Sequence, residues 1–447
     1  MTATPARVLN ADCLTALRDM PDASVDAIVT DPPYGLSNTT PAQVADTITQ
    51  WVTGNREYLP TGRGFMGHEW DGFVPPVAVW DECLRVLKPG GHLLAFAGSR
   101  THDLMTLGIR LAGFEIRDSV AWLYGSGFPK SMDVSKAIDK AAGAVRETKT
   151  VRSAASAYSA NVGNYRPWMD NDGTVTVAGD TPATDAARQW EGWGTALKPA
   201  FEPVTLARKP LTGTVAANVQ EHGTGALNID ACRIYATDDD RALMEARSHP
   251  NGTKAGSNGG GIAMQFDKPR GFKSHPSGRW PANVVLDESQ AAELDRQSGT
   301  RKSSGVYDGD GSRNEGHRST SFAGGHRPNA MYADTGGASR FMYVAKAPKS
   351  ERPVVDGTAH PTVKPLALMR WLVRMVTPPG GVVLDPFAGS GTTIEAAMLE
   401  GFNVTGIERE ADYLPLIHAR IERATTTLAV QAEADADTLF PIDGAAS

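Results

Sequence analysis

The sequence predicts an α/β fold with a long loop-rich insertion. Three observations carry that expectation. Short apolar runs alternate with amphipathic helical stretches near both ends of the chain, glycines punctuate the junctions, and the alternation stops between residues 125 and 345.

Taken in order, Arg7–Asn10 reads as a strand, Cys13–Met20 as a helix and Val25–Thr30 as a strand, with Asp12 placed to cap the helix. Residues 37–76 are polar, rich in Gly and Pro and too long for a simple connection, so a lid is expected there. Val77–Leu87 is helical and stops at Lys88-Pro89-Gly90-Gly91, before the buried strand His92–Ala97. A helix over Thr101–Ala112 and a strand over Glu115–Leu123 follow. Residues 125–345 are dense in Gly, Ser, Asn and Arg, with apolar islands at Pro203–Leu206 and Ala282–Leu286. Asn251–Gly261 and Ser303–Gly325 have too little hydrophobicity to order in isolation. Order returns at His360-Pro361-Thr362-Val363-Lys364-Pro365, followed by the helix Leu366–Val376, the strand Val382–Asp385, the helix Thr392–Glu400, the strand Asn403–Glu408 and a helix ending near Arg423. The expected division is therefore a first half over 1–125, an insert over 126–345, a second half over 346–425 and a flexible tail over 426–447.

Composition bounds the function classes. The net charge of −7 does not announce a polyanion partner, but residues 130–349 carry 28 Lys and Arg against 24 Asp and Glu, so the excess of basic groups lies in the middle. Cys13, Cys83 and Cys232 are too scattered for a disulfide framework or a zinc site. No run approaches a membrane span and no charged, then apolar leader opens the chain, which leads us to expect a cytoplasmic protein with no membrane partner.

Two motifs carry chemistry. Asp31-Pro32-Pro33-Tyr34 follows an apolar strand; its prolines fix φ and remove backbone donors, so Asp31 and Tyr34 leave the strand in a stiff extended turn. Asp385-Pro386-Phe387-Ala388-Gly389-Ser390-Gly391-Thr392-Thr393 places a tight glycine turn at a helix N-terminus, where free backbone donors can receive an anionic group. The third glycine of G-x-G-x-x-G is replaced by Ile394 and no Gly-Lys-Ser/Thr is present, which disfavours a dinucleotide or ATP. Glu408, ending the next strand, can accept from both ribose hydroxyls of a nucleoside cofactor.

On these residues the chain resembles a DNA amino-methyltransferase of the β group, in which D-P-P-Y precedes the cofactor loop and the target-recognition region lies between them. The segments Val8–Tyr34, His360–Pro365 and Val383–Glu408 carry the resemblance, in the family's order. Gly192-Trp193-Gly194-Thr195-Ala196-Leu197-Lys198-Pro199 resembles a segment of phage and prophage members. The resemblance implies a permuted class I methyltransferase fold, with a seven-stranded, mostly parallel sheet and the strands ending at Asp31 and Asp385 side by side. It implies S-adenosylmethionine as cofactor, double-stranded DNA as partner, base flipping, and site-specific methylation of the N6 amino group of adenine. The N4 position of cytosine is the near rival, a DNA-binding protein without turnover is the rival of another class, and the family allows a homodimer.

In that framework Asp31 and the Pro32 carbonyl would hold the target amino group, Pro33 would stiffen the turn, and Tyr34 would stack on the flipped base. Asp385, Phe387, Gly389, Gly391 and Thr392 would line the cofactor, Glu408 its ribose, Lys364 its methionine end and Asp12 its adenine, although Asp12 also reads as a plain helix cap. Trp122 and Tyr124 read either as walls of the base pocket or as packing. Among the basic and aromatic residues of Lys268–Trp280, with Phe272 and Trp280, Arg279 is the candidate DNA contact. No metal is expected at His360, because no second ligand stands at a suitable spacing.

Overall fold

A computed structural model describes residues 6–37, 39–62, 69–127, 131–152, 174–234, 278–302, 335–345, 351, 353–355, 357–360 and 362–439. The expectations for Asn251–Gly261, Phe272, Ser303–Gly325 and Pro361 lie outside the described residues. The chain forms two units, one of residues 1–125 with 201–447 and one of Ser126–Ala200.

The larger unit is built on a nine-stranded sheet, in the spatial order Ala6–Asn10, Asn403–Glu408, Val382–Asp385, Val25–Thr30, Leu87–Phe96, Phe201–Arg208, Glu115–Leu123, Val284–Asp287 and Tyr343–Ala345. Phe201–Arg208 runs antiparallel to both neighbours and every other adjacent pair is parallel, so the sheet is mostly parallel as expected. The two C-terminal strands insert between the first and second strands of the chain. Nine strands replace the expected seven because Val284–Asp287 and Tyr343–Ala345 extend the sheet beyond Glu115–Leu123. Both are too short to show a period in the sequence. The boundaries 126 and 345 are corrected accordingly, since three strands from within that span belong to the main sheet.

Alternate residues of the central strands feed two apolar cores. Val29, Leu94 and Phe96 face the helices Leu366–Val376 and Thr392–Leu399; Ile28, Leu93 and Ala95 face Cys13–Arg18, Val77–Val86 and His102–Leu111. Burial on both faces explains why these strands read as continuous apolar runs rather than alternating ones.

In three places the structure holds more regular elements than expected. Residues 37–76 contain the helix Pro41–Val52, started by a capping box between Thr40 and Gln43 and anchored by fully buried Trp51, whose indole donates to Tyr58 O at 2.9 Å. The helix Val77–Val86 ends just before Lys88-Pro89-Gly90-Gly91 as expected, but those residues already lie inside the strand Leu87–Phe96, where the register against Val25–Thr30 shifts. The last helix does not end near Arg423 but runs to Leu439, and residues 440–447 lie outside the described residues. Arg420 and Arg423 fix this helix by pairing with buried Glu395.

The smaller unit holds the hairpin Thr148–Arg152 and Thr174–Ala178 and the helices Val134–Ala141 and Asp185–Gln189. Its core is polar: buried Asp139 pairs with Arg146 at 2.6 Å and accepts the Ala183 and Thr184 amides. Among the described residues of the chain no helix is long and apolar enough to cross a membrane.

Candidate active site

Val25–Thr30 and Val382–Asp385 are parallel, hydrogen-bonded neighbours, so both deliver their following turns to the same end of the sheet. Thr30 joins them: its hydroxyl donates to Asp385 Oδ1 at 2.7 Å, and the Phe387 amide donates to the same oxygen at 3.1 Å. Burial pushes the Asp385 carboxyl up to about 6, against the bonds it accepts, and nearby Asp31 adds to the rise. The folded protein therefore keeps this proton up to about pH 6, whereas the unfolded chain releases it near the ordinary value of 3.8. The stability contributed by protonated Asp385 falls as pH rises through that window. Asp385→Asn removes the effect, so the stability of the variant relative to wild type should rise by about 2 kcal/mol between about pH 4.5 and about pH 7.5. Urea unfolding at the two pH values measures it, and a constant difference would contradict the assignment.

The glycine loop turns on two left-handed residues, Gly389 at φ 53° and Gly391 at φ 84°. A Cβ on Gly389 would stand 3.2 Å from His360 Nε2, and one on Gly391 3.1 Å from Ile417 Cα. Glu408 ties the loop down: Oε2 accepts the Gly389 amide at 2.7 Å and Oε1 the Glu410 amide at 2.8 Å. Burial raises its carboxyl above the usual range. Each carboxylate oxygen keeps a second acceptor position, so Glu408 can hold the loop and still receive two hydroxyls. Phe387 is half-buried, and buried Thr392 opens the helix. His360 lies edge-on to Tyr413 at 4.6 Å, with burial lowering its proton affinity.

Asp31, Tyr34 and Lys364 are brought together. Lys364 Nζ donates to Asp31 Oδ2 at 2.6 Å and lies 3.3 Å from Glu202 Oε2; its side chain is only 7% exposed. Burial works against that ammonium, but Asp31 and Glu202 together hold its proton affinity above the ordinary lysine value. Tyr34 donates its hydroxyl to Glu202 Oε2 at 2.8 Å, and its ring centroid stands 5.2 Å from Lys364 Nζ. Burial, with Asp31 and Glu202 beside it, raises the phenol well above the usual range. The backbone of the turn is also held. Asp71 Oδ1 accepts the Tyr34 and Gly35 amides at 2.8 and 3.0 Å, and Thr101 donates to Tyr34 O at 2.6 Å. Gly35 is required here: its φ is +66°, and a Cβ would stand 2.7 Å from Val74 N. Pro32 is buried and Pro33 partly so.

Other expectations divide. Asp12 caps the first helix, accepting the Leu14 and Thr15 amides at 3.0 and 3.2 Å. Trp122 and Tyr124 pack against each other at 4.9 Å, and burial, with Glu202 adding, lifts the Tyr124 phenol to about 12. Arg279 is buried, donates to Arg340 O at 3.1 Å and lies over the Phe341 ring. Glu202, Asp71, Thr30 and Thr101 are the residues that sequence reasoning missed. For Glu202 a signal existed, because it stands three residues after the segment Gly192–Pro199, for which the sequence suggested no role beyond packing.

A model of the DNA methylase family matches residues 25–419. Among characterised proteins, the type II methyltransferase M.ScaI of Streptomyces caespitosus is 39% identical over 79 residues, which are 18% of this chain and 26% of that protein. The type II methyltransferase M2.MboI of Moraxella bovis is 42% identical over 69 residues, 15% of this chain and 25% of that protein. The chain thus spans about a quarter of the length of these relatives. Among solved structures, the cytosine-N4-specific PvuII DNA methyltransferase aligns over 95% of this chain and 92% of its own, at 13% identity and a TM-score of 0.40.

Proposed function

The chain belongs to the DNA methylase family, and on that premise we propose that it is a site-specific methyltransferase of double-stranded DNA, using S-adenosylmethionine and acting on the N6 amino group of adenine. One observation supports the reading most. Asp31 Oδ1 is buried with no hydrogen-bond donor among the described residues, while Oδ2 is held by Lys364. A buried carboxylate oxygen left without a donor is costly, about 1–3 kcal/mol or more. An exocyclic amino group would supply the missing N–H.

Base amino groups are poor nucleophiles because their lone pair is delocalised into the ring. Asp31 and the Pro32 carbonyl, each accepting one amino hydrogen, would favour the pyramidal nitrogen and the positive charge it acquires during transfer. Tyr34 would stack on the base once it is flipped out of the duplex. S-adenosylmethionine, when bound, supplies the methyl group as a sulfonium electrophile. Phe387, Gly389, Gly391 and Thr392 would line its methionine portion, Glu408 would take the ribose hydroxyls and Asp12 would approach the adenine. Target recognition would fall to residues within 126–345, where the basic excess lies.

The aspartate that leads Asp31-Pro32-Pro33-Tyr34 favours adenine, since serine there is commoner among enzymes acting on cytosine. Nucleoside mass spectrometry of DNA incubated with protein and labelled cofactor tests both levels of the proposal. Labelled 6-methyladenine is expected. Labelled 4-methylcytosine in its place overturns the base assignment, and no labelled nucleoside on any DNA supports the DNA-binding protein without turnover.

A further inference from the structure

We infer that Glu202 is a positioning residue of the methyl-transfer site, an inference that rests on the function proposed above. Its carboxylate neutralises Lys364 and fixes Tyr34, so that Asp31 meets the target amino group carrying its full negative charge. The reasoning is electrostatic. A nitrogen that becomes positive during transfer needs an anion beside it, yet Asp31 is paired at 2.6 Å with an ammonium that is almost fully buried. An isolated Asp31–Lys364 pair would present no net charge to the substrate. Glu202 changes the sum: with Lys364 shared between two carboxylates, the cluster of Asp31, Glu202 and Lys364 carries one net negative charge.

The same carboxylate oxygen that faces Lys364, Oε2, also accepts the Tyr34 hydroxyl. The stacking ring and the charge partner of the catalytic carboxylate are therefore set by one atom. Glu202 lies on the antiparallel strand Phe201–Arg208, paired with Trp122 of the strand Glu115–Leu123, so its backbone is fixed by the sheet rather than by a loop. Burial of Tyr34 makes this hydroxyl bond worth keeping, because a buried phenol left without its acceptor is costly.

The test is single-turnover methylation by the Glu202→Gln and Glu202→Asp variants with saturating DNA and labelled S-adenosylmethionine, with Asp31→Asn measured alongside. Glu202→Gln keeps the size of the side chain and removes its charge. It should slow transfer by about 10- to 100-fold, with cofactor KM within about twofold of wild type, while Glu202→Asp recovers most of the loss. The resonance of the Tyr34 ring carbon bearing the hydroxyl, followed in protein labelled at tyrosine, should shift in Glu202→Gln, a readout independent of turnover. Wild-type rates in Glu202→Gln, or equal losses in both variants with an unmoved Tyr34 resonance, would overturn the inference. Undiminished transfer by Asp31→Asn would instead overturn the reading of the site itself, which keeps the two failures apart.

Discussion

Replacing Asp31 with alanine is expected to slow methyl transfer by about 10²–10³-fold, the loss that accompanies removal of one preorganised electrostatic group, or about 3–4 kcal/mol of barrier. The expectation follows from the different surroundings of the two oxygens: Oδ2 is committed to Lys364, and Oδ1 is buried without a donor among the described residues. Alanine removes the acceptor for the amino hydrogen and the charge together. Cofactor binding should change little, because Glu408 and the glycine loop are held by their own bonds rather than by Asp31. Folding should also survive, since Lys364 keeps Glu202 as a partner. Single-turnover rates, equilibrium binding of the cofactor and thermal unfolding separate these effects. A variant within threefold of wild type would remove Asp31 from the chemistry, and a loss confined to cofactor affinity would move it to the other half of the site.

Much of this site was legible in the sequence, because it is built from residues whose chemistry is local. Asp31-Pro32-Pro33-Tyr34 follows a strand buried along its whole length, and Gly389 and Gly391 adopt the positive φ that a tight strand-to-helix turn requires. Both patterns depend on a few consecutive residues, which a single chain displays directly. Glu202 and Asp71 depend on tertiary placement instead. Asp71 sits in a stretch that reads as loop, yet it holds two amides of the Tyr34–Gly35 turn. Glu202 reaches Lys364 only because Phe201–Arg208 enters the sheet next to Leu87–Phe96. The strands missed in the middle of the chain share this origin: Val284–Asp287 and Tyr343–Ala345 are stabilised by neighbours distant in sequence rather than by their own periodicity. The same holds for the helix Pro41–Val52, whose buried Trp51 belongs to the core that also contains Phe73 and Val77. Asp12 shows the converse limit, since its capping bonds follow from the sequence whether or not it also meets a ligand.

Lys364→Met should be the most destabilising single change at the site, costing about 3–5 kcal/mol, because it removes a cation buried between two carboxylates and leaves both without their counter-ion. Methionine fills a similar volume, so the loss reports charge rather than a cavity. Urea unfolding of wild type and variant at neutral pH measures its size. A deficit below about 1 kcal/mol would mean that water reaches this cluster and screens it as on a surface. A deficit of the expected size would instead show that Lys364 is held as the shared counter-ion of two carboxylates in a site that water does not screen.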